Sequence, residues 1–159
     1  MSTTSTVLPP RPICDRRRRA LSSAALAVVA LSAASLLGGC STGDAAARAA
    51  ATQVGRPYRY GGAGPSGFDC SGLTMWAWHL AGKQLPRTAA QQYAATTPVS
   101  AREIQPGDLA FYSNGGRISH VAMYIGHGTL VQARNSRYPV ERKPVGWWGD
   151  HLVGYRRVR

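Results

Sequence analysis

The stretch Phe68-Asp69-Cys70-Ser71-Gly72 sets a thiol where irregular backbone gives way to a helix. Upstream, Pro57-Tyr58-Arg59-Tyr60-Gly61-Gly62 and Gly64-Pro65-Ser66-Gly67 are too densely punctuated by Gly and Pro for regular structure. Downstream, Leu73, Trp76, Ala77 and Leu80 recur at spacings of three and four, the helical period. Cys70 is therefore expected in the first turn of a helix, where unpaired N–H groups and the positive end of the dipole favour an anion. The thiolate is the nucleophilic form of cysteine, and this position should ease its formation. The alternative for Cys70 is a small buried hydrophobe, because free cysteine is among the most buried residue types.

A cysteine nucleophile needs a base to take its proton and later protonate the leaving amine, a part usually played by histidine. His79 lies nine residues along the Cys70 helix, more than two turns from the thiol. His127 sits in a glycine-flanked turn, and His151 in a Trp-Gly-Asp loop without pattern. His120 opens a strand-like run in which Val121, Met123 and Ile125 share one face and leave His120 to the other. A chain reversal centred on Gly126 sets His120 opposite Gln132, with Cβ atoms ~4.5–5.5 Å apart. The Gln132 amide oxygen would then accept from one ring nitrogen, fixing the tautomer that offers the other to Cys70. A one-residue slip would send Gln132 to the opposite face. The alternatives are a structural histidine and a solvated glutamine. No metal or cofactor is expected, since paired ligand spacings such as CxxC or HxxxH are missing; a serine-based hydrolase is disfavoured for want of a G-x-S-x-G elbow.

These residues need elements to position them. Residues 44–53 read as an Ala-rich helix, and the Cys70 helix runs to about Ala81 before Gly82 stops it. Thr88 followed three residues later by Gln91 is a capping box that opens a short helix through Ala95. Strands follow at 109–112, 120–125 and 129–134, with weaker candidates at 140–145 and 152–158. Helices first and antiparallel strands afterwards predict an α+β domain, its N-terminal helices packed on a central antiparallel sheet.

The first forty residues read differently. Arg16-Arg17-Arg18-Arg19 precedes an apolar and small-residue run over 20–37, then Gly38-Gly39-Cys40, the parts of an export signal. Leu37-Gly38-Gly39-Cys40 also resembles a lipoprotein signal, in which Cys40 is lipidated and becomes the new N-terminus. An uncleaved membrane anchor is the alternative, the run being close to the ~20 residues of a span. Either reading places the remainder outside the cytoplasm, tethered to a membrane, and Arg18-Arg19 also suits a twin-arginine route. The expected organisation is a signal over 1–39, a short linker over 40–44 and one domain over 45–159. Only Cys70 then remains in the exported part, where a lone thiol marks reactivity because cysteines there usually pair. Residues before Cys40 hold five Arg and one Asp, leaving +8 of the chain's +12 on the exported part. The arginines are scattered and not clustered on one helix, which argues against nucleic acid and for an acidic surface or wall polymer. A monomer is expected.

Five ordered segments carry a family resemblance: Pro57 to Gly62, Phe68 to Gly72, Leu85-Pro86-Arg87-Thr88, Gln105-Pro106-Gly107-Asp108-Leu109 and Ser119-His120-Val121. Over residues 45–158 the chain resembles the NlpC-type, papain-like cell-wall cysteine peptidases. The resemblance implies hydrolysis of peptidoglycan stem peptides, most often at the bond between γ-D-glutamate and a diamino acid. It implies Cys70 as nucleophile and His120 as general base and then acid. Gln132 stands at the orienting position, where relatives often carry His; a neutral amide orients the ring but adds no charge. Tyr58 matches a tyrosine that helps hold the oxyanion beside the Cys70 N–H. Asp69 and Ser71 match substrate-contacting positions, Asp69 as receiver of a free stem-peptide amine, though Asp69 is also an ideal helix cap. An amidase cutting next to muramic acid, and a catalytically weak wall-binding lipoprotein, are the alternative readings.

Overall fold

The computed structural model describes residues 41–159; Cys14, Cys40, the apolar run and the expected export signal lie outside them. Helix α1 (Thr42–Ala51) opens on a reciprocal box in which Ser41 Oγ accepts from the Asp44 N–H and the Asp44 carboxylate accepts from the Ser41 N–H. The sequence reading starts this helix at 44 after a linker over 40–44; the box moves the start to Thr42, so 42–44 are helix and not linker. Gly43 lets α1 close on the turn before the central strands, since a Cβ there would stand 2.4 Å from the Pro106 oxygen.

Helix α2 (Cys70–Leu80) and α3 (Ala89–Ala94) form where local signals place them, α3 with both halves of the Thr88–Gln91 box made. A two-stranded hairpin of β1 (Ala63–Gly64) and β2 (Gly67–Phe68) precedes α2, and β3 (Thr97–Val99) follows α3; none of the three is expected from the sequence. The remaining strands are β4 (Leu109–Asn114), β5 (Arg117–Gly126), β6 (Thr129–Gln132), β7 (Glu141–Pro144) and β8 (Leu152–Arg157). They form a six-stranded antiparallel sheet in the order β3-β8-β4-β5-β6-β7. The expected α+β layout is thus observed.

Alternation along the strands divides two apolar layers. Leu109, Phe111, Val121, Met123 and Val131 meet Ala46, Ala50, Leu73, Ala77 and Trp78 of the helices. Ala110, Tyr112, Ala122 and Leu130 pack on the other face with Tyr155 and the loop residues Trp147 and Trp148. Both faces of β4 and β5 are covered, which accounts for their unbroken apolar runs. Asp108, buried at the mouth of β4, takes a two-pronged bond from Arg157 at 2.8 and 2.7 Å and ties the last strand to the turn.

Two irregularities decide where side chains point. Tyr112 pairs with His120 and Ser113 with Ile118, so Ser119 is an extra residue immediately before the histidine, a bulge of the kind that re-aims a neighbour. At the far end of β5 the chain reverses through His127 and Gly128, both with positive φ (51° and 67°), between the paired Gly126 and Thr129. That turn is centred beyond Gly126, which alone would flip every β6 side chain. A bulge at Ile125 restores the parity: Tyr124 faces Leu130 and Met123 faces Val131. The expected pairing of His120 directly opposite Gln132 is therefore shifted by two residues. An even shift keeps Gln132 on the histidine's face, as a diagonal neighbour.

Candidate active site

Cys70 is the first residue of α2 and half-buried, as its spacing predicts. The helix end that holds it is built around Asp69. One carboxylate oxygen accepts from the Gly72 N–H at 2.7 Å and from Arg87 at 3.0 Å; the other accepts from the Gly61 N–H at 3.0 Å and again from Arg87. The Ser71 hydroxyl accepts from the same guanidinium at 3.0 Å. Asp69 thus caps the helix and binds the preceding loop to it. The amine-binding part that the resemblance gives Asp69 finds no vacant acceptor in this geometry, and Ser71 is buried.

Close backbone contact completes the support. A Cβ at Gly72 would lie 2.0 Å from the Gly62 oxygen, so only glycine lets α2 approach the loop this closely. That Gly62 oxygen accepts from the Asp69 N–H at 2.9 Å. Behind the thiol, fully buried Gln92 donates to the Ser71 and Pro86 carbonyls, each at 2.9 Å, and accepts from Thr74 at 2.7 Å. Truncating it would take this partner from the Pro86 carbonyl, while Thr74 and the Ser71 carbonyl keep the 2.9 Å bond between them, so a loss of about 1–3 kcal/mol is expected. Tyr58 lies beside the thiol: burial raises its phenol above the ordinary value, and the charges of Cys70 and Asp69 add to the effect.

His120 and Gln132 are brought together. His120 Nε2 lies 2.7 Å from Gln132 Oε1, and both side chains are buried. The orientation of the amide follows from its other end, where Gln132 Nε2 donates to Glu141 Oε1 at 3.2 Å across the β6–β7 pair. A carboxylate only accepts, so the amide NH₂ faces Glu141 and its oxygen faces the ring. His120 Nε2 must then carry the proton, which leaves Nδ1 as the basic nitrogen. Lys143 Nζ stands 3.1 Å from the second Glu141 oxygen. Glu141 was not legible as a site residue in sequence; only its strand partner identifies it.

The thiol approaches the same strand. The backbone of Val121, the residue after His120, and that of Ser71 act on the Cys70 sulfur in the direction that favours its thiolate. Among the described residues no hydrogen bond joins the sulfur to the imidazole itself, as is common in apo catalytic sites. An aromatic wall flanks the ring: Tyr112 and Trp148 lie 5.7 and 6.0 Å from it between centroids, with Trp147 beside Trp148 at 5.5 Å. Arg134 stacks over both indoles at 4.9 and 5.1 Å. Arg87 stands in the Leu85-Pro86-Arg87-Thr88 segment that carries the family resemblance, while Arg134, Trp147 and Trp148 carry no sequence signal.

The electrostatics correct one expectation. Burial pushes the Cys70 thiol above its ordinary value and the Asp69 charge raises it further, outweighing the bonds from Val121 and Ser71. The helix terminus does not win. Burial also lowers His120, to about 4; the Gln132 bond opposes this and the Arg134 charge adds to it. The resting pair at neutral pH is a neutral thiol and a neutral imidazole. Alkylation of Cys70 by iodoacetamide, which consumes thiolate, should therefore keep accelerating as pH rises through 9, the ordinary thiol value. A rate that levels off in the acidic range would mean a preformed ion pair and contradict this account.

Comparison with known proteins agrees with the geometry. The chain matches the NlpC/P60 family over residues 55–157. It is 42% identical over 134 residues to a probable endopeptidase of Corynebacterium glutamicum, covering 84% of this chain and 63% of that protein. It is 41% identical over 109 residues to the bifunctional muramidase/DL-endopeptidase CwlT of Bacillus subtilis, covering 66% of this chain and 33% of that protein. The solved peptidoglycan hydrolase RipB of Mycobacterium tuberculosis superposes with a TM-score of 0.63 at 33% identity, over 74% of this chain and 64% of that one. The chain spans less than two thirds of the length of each of these proteins. A papain-like α+β domain, its half-buried cysteine at a helix start and its buried histidine held by an amide, belongs to the NlpC/P60 family.

Proposed function

We propose that this chain is a cysteine endopeptidase of peptidoglycan, cutting stem peptides at the bond between γ-D-glutamate and the following diamino acid. The observation that carries the reading is the Glu141–Gln132–His120 relay, which leaves Nδ1 as the basic nitrogen of a histidine one residue before Val121, whose backbone acts on the thiol. Two relatives, a DL-endopeptidase and a peptidoglycan hydrolase, support the substrate class.

In this reading His120 Nδ1 takes the Cys70 proton as the sulfur attacks the scissile carbonyl carbon. The tetrahedral oxyanion is held by the Cys70 backbone N–H and the Tyr58 phenol. The imidazolium returns its proton through Nδ1 to the departing amine, the C–N bond breaks, and a thioester remains. Water, deprotonated by the same nitrogen, attacks the thioester and releases the γ-D-glutamyl product. Because His120 resists protonation, its imidazolium is a strong acid and suits the second step more than the first. Asp69 and Ser71 serve here by fixing the helix end that aims the thiol.

Digestion of purified muropeptides with mass-spectrometric identification of products tests the assignment. Cleavage between γ-D-glutamate and the diamino acid is expected, and Cys70→Ala should abolish it while retaining the melting temperature. Release of the stem peptide from muramic acid would make the protein an amidase. Binding without cleavage would make it a scaffold.

For location we propose a lipid anchor at Cys40, supported by the basic run, the apolar run and the small residues before the cysteine. Among the described residues no helix is long and apolar enough to cross a membrane. Expressed in a bacterium with lipoprotein processing, the protein should fractionate with membranes, and Cys40→Ala should lose the lipid mass at that residue. An unmodified Cys40 in membrane-bound protein would favour an uncleaved anchor instead.

A further inference from the structure

Arg134 is the residue near the site whose charge has no local explanation. The other guanidiniums that matter here are matched: Arg87 with Asp69, Arg157 with Asp108. Arg134 lies two residues past Gln132, the last residue of β6, and its guanidinium carbon stands over the Trp147 and Trp148 rings, 4.9 and 5.1 Å from their centroids. Among the described residues it has neither a carboxylate partner nor a hydrogen-bond acceptor. Stacking engages the faces of a guanidinium and leaves its N–H edge available for a planar anion. Trp148 in turn lies 6.0 Å from the His120 ring.

The chemistry of the step says what sits there. His120 must protonate the departing amine, so the residue on the leaving side of the scissile bond lies against its ring. Arg134 shares the Trp148 ring with His120. We propose that Arg134 is a carboxylate-binding residue on the leaving side of the site, selecting a diamino acid that bears a free side-chain carboxylate over one that lacks it. This rests on the endopeptidase reading and deepens it. The same arrangement explains why a cation stands close to a base that must accept a proton. Unoccupied, the Arg134 charge disfavours protonation of His120. A substrate carboxylate bound to it offsets that charge, so the ring becomes more basic only when the correct residue is seated.

Two stem tetrapeptides test this with the full chain. Both have L-alanine, γ-D-glutamate, diaminopimelate and D-alanine; in one the side-chain carboxylate is free, in the other it is amidated. The parent protein should cleave the free acid with a kcat/KM roughly tenfold or more higher, the range of one charge-assisted bond. Arg134→Gln should bring the ratio towards one, and Arg134→Lys should restore part of it. A ratio near one in the parent, or a preference that survives Arg134→Gln, overturns the proposal. Binding of the same peptides to Cys70→Ala protein, followed by calorimetry, separates the two layers of argument. If neither peptide is cut but the free acid binds more tightly, and adding Arg134→Gln removes that difference, the endopeptidase reading falls and the carboxylate site stands. Equal binding of both peptides overturns the site whatever is cleaved. A general loss of packing around the indoles would weaken both peptides alike and would leave the ratio unchanged, which also counts against the proposal.

Discussion

The chemistry of this domain depends on a buried hydrogen bond between an imidazole and an amide, His120 to Gln132. Burial makes charge expensive at both ends of the pair, so the histidine stays neutral and its tautomer becomes the property that matters. Gln132 alone cannot set that tautomer, because an amide can present either its oxygen or its nitrogen. Glu141 removes the choice by accepting from the NH₂ side. The relay thus runs through three residues from three strands, β5, β6 and β7, held in register by sheet pairing. A neutral orienting residue with a carboxylate one step further out keeps the ring fixed without placing a charge against it.

The nucleophile's side is built on a different principle. Four segments converge on one helix terminus: the glycine loop through Gly61 and Gly62, the Asp69 cap, Arg87 before α3, and Gln92 within α3. None of these contacts activates the sulfur directly. They place it, and burial then holds it protonated. A thiol kept neutral beside a neutral base is less reactive towards adventitious electrophiles than a standing thiolate. In the proposed reaction it becomes nucleophilic when a carbonyl is presented and the proton can move to Nδ1. The Arg134 charge fits the same logic of restraint at rest.

Local signals were readable in the sequence, and non-local ones were not. The Cys70 helix, its Asp69 cap and the Thr88–Gln91 box depend on residues within one turn, and each forms as the residue types require. Alternation placed Val121 and Met123 in the core and His120 on the other face, because strand period is a local property as well. The hairpin register is not local: the glycines suggest a reversal centred on Gly126, and the bulge at Ile125 has no sequence mark. His120 and Gln132 still meet because the two displacements sum to an even number. The position of Cys70 at a helix start points to an eased thiolate, but burial outweighs it, and burial depends on packing that the local sequence does not contain. Arg87, Glu141, Arg134 and the indoles come to surround the site only through the fold. The short strands β1, β2 and β3 lack a hydrophobic pattern of their own and exist because neighbours offer backbone partners.

A single spectrum addresses the centre of this account. Nitrogen-15 NMR of the His120 ring across pH reads both the tautomer and the proton affinity. The relay requires the Nε2–H form, persisting until about pH 4. An Nδ1–H tautomer, or protonation near 6.5 as in an ordinary histidine, would contradict it.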